Sequence, residues 1–386
     1  MNGILRQQWG WDGFVVSDYD AWANILGTHH FTKDMKATAA VGINAGLDQE
    51  GGGTRAISQL QAAITSGATT AAHVEMAFRR LMRMRVRLGM LDPPLLNPYH
   101  TLGREDLQTA RATALNRRAA AEGMVLLKND AVKGSKPLLP LDPSVFAGHA
   151  GSVLVAGPIA DNGNNTFGNY ACDWGNCSTN VTSIFGGLRF ADTGLNHGEV
   201  RYIPGCATTN CSGADVDFAP AIAAAATAQL SVVVLGTLGW DRLNPGPNPN
   251  PNSYEREGHD RTSIALAGQQ YDLATALAKT GTPLLCVLIH GGSLKLGSLL
   301  KDCTTIVDTW FPGQQGGAGF ADLIFGKVSA GGRSPQTFYS DDSELPKLGN
   351  MDVYASNEAG TGSGTTCKSS RVAHGVIFIW VLLCFL

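Results

Sequence analysis

Two acidic residues far apart in the chain, Asp18 and Glu257, offer the most specific chemistry in this sequence. Asp18 closes the short run Phe14-Val15-Val16-Ser17-Asp18, whose β propensity predicts a buried strand with an acid at its C-terminal end. Glu257 lies in Tyr254-Glu255-Arg256-Glu257-Gly258-His259-Asp260-Arg261, a dense charge cluster ahead of a helical pattern. Each has an ordinary reading as well. An aspartate after a strand can cap a helix or turn, and acids before a helix favour its dipole. As a pair they fit glycoside hydrolysis, in which one carboxylate attacks the anomeric carbon and the other protonates the leaving oxygen, the two standing about 5 to 5.5 Å apart in a retaining enzyme.

The elements that would position them alternate between strand and helix. After the first strand comes a helix near residues 35–45, a short strand around Leu47, and a longer helix with Val74, Phe78, Leu81 and Leu88 on one side. Arg79, Arg80, Arg83 and Arg87 fall on the other side of that helix. This rhythm is that of a (β/α)8 barrel. A whole barrel takes about 250 residues, so residues 1–95 are expected to be the C-terminal remnant of one, its earlier strands preceding Met1.

The prolines Pro93, Pro94 and Pro98 mark a linker, and residues 96–120 read as linker and connecting helix. From there, strands expected at 124–127, 153–156, 230–235 and 284–289 alternate with helices at 219–229 and 264–279, which predicts an α/β sandwich domain over residues 121–341. The Pro/Asn-rich loop 244–253 delivers the chain to Glu255. Residues 342–386 read as an irregular tail with an apolar end. The fold class is therefore α/β, a barrel remnant followed by an α/β sandwich, with each domain supplying one carboxylate to a sugar held between them.

At this point a resemblance is specific. Leu5-Arg6-Gln7-Gln8-Trp9-Gly10-Trp11-Asp12-Gly13-Phe14-Val15-Val16-Ser17-Asp18 resembles the stretch of glycoside hydrolase family 3 that carries the nucleophile, and Glu257-Gly258-His259-Asp260-Arg261 is similar to the segment that carries its acid/base. Thr28-His29-His30-Phe31-Thr32, Ala45-Gly46-Leu47-Asp48, Phe311-Pro312-Gly313-Gln314 and Gly331-Gly332-Arg333 extend the likeness over roughly residues 5–339. Gly168-Asn169-Tyr170-Ala171 and Pro204-Gly205-Cys206 look like the plant and fungal β-xylosidase branch. The resemblance implies Asp18 as nucleophile and Glu257 as acid/base, with Tyr19, His30, Glu255 and Arg261 binding substrate. It implies release of sugar from the non-reducing ends of β-linked xylo-oligosaccharides, in xylan catabolism. Tyr19 stands where tryptophan or cysteine is more familiar, which leaves xylose, arabinose and glucose open as the sugar. Without the earlier barrel strands, the chain alone is expected to be inactive and to fold poorly at its N-terminal end. A catalytically inactive secreted glycan-binding or scaffold fragment is the alternative.

Other classes have less support. The formal net charge of −3 and the lack of a Lys/Arg run exclude a nucleic-acid footprint. Ile289-His290-Gly291-Gly292-Ser293 resembles an esterase oxyanion loop, but no Gly-x-Ser-x-Gly elbow accompanies it. His29 and His30, adjacent on an expected strand, point to opposite faces, so no metal is predicted. The retaining mechanism needs no cofactor, and none is expected. Cys172 with Cys177 and Cys206 with Cys211 read as local disulfides, and sequons begin at Asn164, Asn176, Asn180 and Asn210. Together they predict a secreted glycoprotein whose signal peptide precedes Met1, since the first eight residues have no apolar core. The apolar run 375–386 is shorter than the roughly 20 residues that span a bilayer, so membrane association is not expected. That run reads as translated sequence from a misassigned gene boundary, with a lipid-anchor signal as the weaker alternative. Nothing in the pattern assigns an oligomeric state.

Overall fold

The computed structural model describes residues 1–168, 181–190, 194–195, 198–239, 255 and 260–345. The chain divides into two units, Met1–Leu107 and Gln108–Leu386. In the first, β1 (Val16–Tyr19) runs parallel to β2 (Gln49–Gly51), with Val16 opposite Gln49 and Tyr19 opposite Gly51. The crossover between them holds α1 (Ala21–Gly27) and α2 (Met35–Ala45). Asp34 caps α2 by accepting the Ala37 N–H at 2.7 Å, and Gly46 ends it in the left-handed region at φ 97°. Next come α3 (Leu60–Thr65) and α4 (Ala71–Arg87). Trp22, Ala39, Ile43, Leu47, Leu60 and Ala77 form the small core of this unit, and the Trp22 indole donates to the Thr38 carbonyl at 2.9 Å.

Asp48 ties these pieces together. Its fully buried carboxylate accepts from Arg6 Nη2 at 2.7 Å, the Val15 amide at 2.8 Å and Arg80 Nε at 2.8 Å. Arg6 also donates to the carbonyls of Gly13 and Gly46. One carboxylate thereby joins the N-terminal turn, the approach to both strands, and α4. Here the helical periodicity misleads: Arg80 turns inward, while Phe78 is exposed. A buried carboxylate left without a cation costs several kcal/mol, more than burying one further side chain contributes. The first strand also departs from expectation. It begins at Val16, two residues later than the apolar run, and Val16, Asp18 and Tyr19 are exposed. Only β2 pairs with it among the described residues, so the neighbours that bury a barrel strand on both faces are not beside it.

The second unit begins with α5 (Ala110–Gly123) and is built on a six-stranded sheet. Its strands are β3 (Val125–Asn129), β4 (Val153–Ala156), β5 (Val200–Tyr202), β6 (Leu230–Gly236), β7 (Leu284–Ile289) and β8 (Thr305–Asp308). The order is β3-β8-β7-β6-β4-β5, parallel except for the β3–β8 pair. Alternate residues face opposite layers. Val153, Val155, Val232, Val234, Leu285 and Val287 pack towards α5, α6 (Ile184–Phe190) and α10 (Gly316–Ile324). Leu154, Val233, Leu235, Cys286 and Leu288 pack towards α7 (Ala219–Ala225), α8 (Gln270–Ala278) and α9 (Leu299–Asp302). This is the three-layer sandwich expected from the strand–helix alternation. Two of its helices are shorter than their patterns: α7 stops at Ala225, and residues 264–269 precede α8 without joining it. Cys206–Cys211 and Cys286–Cys303 are disulfides; Cys172 and Cys177 lie outside the described residues.

Asp48→Ala should lower the stability of the first unit by about 3 to 5 kcal/mol, since it strands two largely buried guanidinium groups and an amide. Glu75→Ala, which removes an exposed partner of Arg79, should change it by less than ~1 kcal/mol. Urea unfolding of the two variants checks the contrast, and equal effects would contradict it.

Candidate active site

Within the second unit the chain runs from β4 to β5 on one side and returns to β6 on the other. Ligands in such sheets bind outside the carboxyl ends of the strands near this switch point. Two glycines shape that edge. Gly157 (φ 104°) and Gly236 (φ 154°) directly follow or end their strands, where a Cβ would collide with the Val234 and Ile289 carbonyls respectively.

Glu255 is seated here, past the end of β6. Its backbone N–H donates to the Leu238 carbonyl at 2.8 Å. One carboxylate oxygen, Oε2, accepts from Thr237 Oγ1 at 2.7 Å and from the Gly291 amide, while Oε1 is paired with Arg261 Nη1. Arg261 also donates to the carbonyls of Ser293 at 3.3 Å and Ala265 at 3.0 Å. Burial pushes the Glu255 carboxyl upward. The Arg261 charge, the Gly291 and Gly292 amides and the Thr237 hydroxyl outweigh it and hold the group below the usual glutamate range. Glu255 is thus a fixed carboxylate that accepts hydrogen bonds and does not give up a proton near neutral pH. A cavity of about 350 Å³ opens beside it, lined by Glu255, Asp260, Arg261, Ser263, Gly292 and Ser293 among others.

Behind the same turn, His290 and Asp308 are fully buried. His290 Nε2 lies 2.9 Å from Asp308 Oδ1, and Nδ1 lies 2.6 Å from the Gly292 carbonyl. The loop 289–293 is therefore no free oxyanion hole: its Gly291 N–H is already taken by a carboxylate.

Asp18 belongs to the first unit. It is exposed, and its Oδ1 accepts the Tyr19 N–H at 2.6 Å. Tyr19 is exposed beside it. His30 is exposed too, but not on a strand: it follows α1 with φ 51°, so alternation of faces does not apply to His29 and His30. Glu257, with Arg256 and His259, lies outside the described residues. Of the residues singled out in the sequence, the structure brings Glu255 and Arg261 together. Sequence reasoning missed Thr237, the pairing of His290 with Asp308, and the Cys286–Cys303 bridge. A histidine and an aspartate ending two apolar strand runs were the available signal, since uncompensated polar groups rarely stay in such positions.

Residues 1–84 match the glycosyl hydrolase family 3 N terminal domain, and residues 124–371 match the glycosyl hydrolase family 3 C-terminal domain. The chain is similar to Beta-D-xylosidase 1 of Arabidopsis thaliana, 33% identical over 373 residues, covering 95% of this chain and 43% of that protein. It is also 33% identical over 344 residues to a probable exo-1,4-beta-xylosidase of Neosartorya fischeri, covering 88% of this chain and 40% of that one. Among solved structures, a GH3 exo-beta-xylosidase in complex with a xylobiose aziridine activity-based probe superposes with a TM-score of 0.69 at 29% identity, over 85% of this chain and 38% of that chain. The chain spans about two fifths of the length of the curated relatives it matches.

The lowered position of Glu255 has a pH signature. Its ionised form is favoured in the folded state, so its contribution to stability is fully present above the ordinary glutamate range of about 4.3 and is lost as pH falls through the lower folded value. Glu255→Gln should therefore be much less stable than the unaltered protein at pH 7, with the gap closing below pH ~4. Thermal unfolding across that range measures it, and a gap independent of pH would contradict the seat.

Proposed function

This chain belongs to glycosyl hydrolase family 3, and from that premise we propose that it hydrolyses O-glycosidic bonds at the non-reducing ends of β-linked xylo-oligosaccharides with retention of configuration. The observation that carries the reading is the match of both units to the two domains of one family, joined to relatives that are named β-xylosidases. Asp18 is the proposed nucleophile. One of its carboxylate oxygens bonds to the anomeric carbon as the glycosidic C–O bond breaks, and Glu257 gives its proton to the departing oxygen. Water then attacks the glycosyl ester while Glu257 takes a proton from it, the ester bond breaks, and both carboxyl groups return to their starting states.

The seat of Glu255 supports this division of labour. Against the burial that raises it, Arg261 and the hydrogen-bond donors around Glu255 favour its ionised form, which suits a binding role, and the acid/base duty is proposed for Glu257. Glu255 and Arg261 line the adjacent cavity, and their hydrogen-bonding atoms suit sugar hydroxyls. Tyr19 and His30 are the proposed contacts from the first unit. The oxidising, glycosylating compartment of a secreted protein accords with the two described disulfides and with the exposed Asn164 sequon; an unchanged mass after enzymatic N-glycan release would contradict it.

In the full-length protein, Asp18→Ala and Glu257→Ala should each lower hydrolysis of an aryl β-xyloside at least about a hundredfold. Azide should restore turnover in each, with glycosyl azide of opposite anomeric configuration from the two variants. Wild-type rates in either variant would contradict the assignment.

A further inference from the structure

Hydrolysis by two carboxylates gives no role to His290 and Asp308, yet their placement is costly. Both side chains are fully buried at the ends of β7 and β8. Asp308 Oδ2 has no hydrogen-bond partner among the described residues, and an unmet buried acceptor costs about 1 to 3 kcal/mol. Trp310, whose N–H donates to Asp308 Oδ1 at 3.2 Å, is held at φ 55°, a strained position for a bulky residue. Its ring lies 4.7 Å from the imidazole, with Phe338 edge-on at 6.5 Å. Packing alone would be served better by apolar side chains.

Donor–acceptor logic shows what the pair does. The Gly292 carbonyl can only accept, so His290 Nδ1 carries a proton towards it. Nε2 faces a carboxyl oxygen, so a second proton lies between Nε2 and Oδ1, whichever atom holds it. The Gly292 carbonyl thereby commits His290 to donation at Nδ1, and the contact with Asp308 at Nε2 fixes the ring orientation. The result is a turn clamped at three successive residues: the Gly291 N–H by Glu255, the Gly292 carbonyl by His290, and the Ser293 carbonyl by Arg261.

We propose that His290 and Asp308 are positioning residues, which lock the 290–293 turn so that the Gly291 amide is aimed at Glu255 and thereby hold Glu255 where it lines the proposed sugar-binding cavity. The last step rests on the glycosidase reading; the seating of Glu255 does not. A hydrogen bond through a rigid turn is a means of holding a group to the tolerance catalysis needs, and displacement of about 1 Å can cost a hundredfold.

The test compares two substitutions with opposite chemistry. The side-chain amide of His290→Asn can take the place of Nδ1 and keep the bond to Gly292. In His290→Gln it takes the place of Nε2, keeping the bond to Asp308 and losing the bond to Gly292. Amide hydrogen exchange at Gly291 and the carbon-13 titration of the Glu255 carboxyl are measured in both variants and in the unaltered protein. In folded His290→Gln, Gly291 protection should fall at least about tenfold and the Glu255 titration should rise, while His290→Asn, which keeps the Gly292 bond but loses the Asp308 bond, should fall between that variant and the unaltered protein. On an aryl β-xyloside, kcat of His290→Gln should fall about tenfold to a hundredfold with KM little changed, and His290→Asn should recover part of it. Unchanged exchange and titration in folded His290→Gln overturn the proposal, and a normal kcat beside an altered Glu255 overturns its catalytic half. An unaltered full-length protein that cleaves no glycoside, while the exchange and titration responses appear, sinks the glycosidase reading and upholds the seating role.

Discussion

A carboxylate taken out of water must be answered by charge or by hydrogen bonds, and in this protein that requirement organises the ground around the proposed chemistry. Glu255 sits beyond β6 because Thr237, the Gly291 amide and Arg261 together repay its desolvation. Each of those partners depends in turn on the sheet. Thr237 continues β6, Gly291 follows β7, and the close approach of the two strands requires a glycine at Gly236. The apolar sheet is therefore the frame on which the polar seat is aligned, and loss of the frame would leave a buried anion unanswered.

The first unit repeats the device with other residues. Asp48 is answered by Arg6, Arg80 and the Val15 amide, and Glu50 accepts from the Ala56 and Ile57 amides ahead of α3. Asp48 precedes β2 and Glu50 lies within it, alongside β1, which carries Asp18. The proposed nucleophile itself is exposed, which leaves it solvated and approachable. Buried acids with fixed partners thus build the scaffold of each unit.

How much of this could be read from the sequence followed the strength of local signals. β4 and β7 appear at the residues their apolar runs predict, and α2 spans its predicted range, because strands buried on both faces and well-capped helices are written in contiguous residues. The Glu255–Arg261 segment stood out by its charge. The partners of Glu255 did not, since Thr237 and Gly291 are distant in sequence and of common types, and the His290–Asp308 pair is created only when β7 lies beside β8. The α4 pattern misled over Arg80 and Phe78 because the periodicity of apolar residues cannot see a buried acid elsewhere that calls a cation inward. β1 begins two residues after the start of its apolar run for a related reason: an apolar run marks where burial is favoured, while strand limits depend on the partner strand.

The proposed mechanism requires a covalent bond between Asp18 and the anomeric carbon. Treating the full-length protein with a 2-deoxy-2-fluoro-β-xyloside bearing a good leaving group, then digesting it and sequencing the labelled peptide by mass spectrometry, tests that most directly. One fluoroxylosyl group, carried by Asp18, is expected. A label on any other residue, or an unlabelled protein that still turns over aryl β-xylosides, would contradict it.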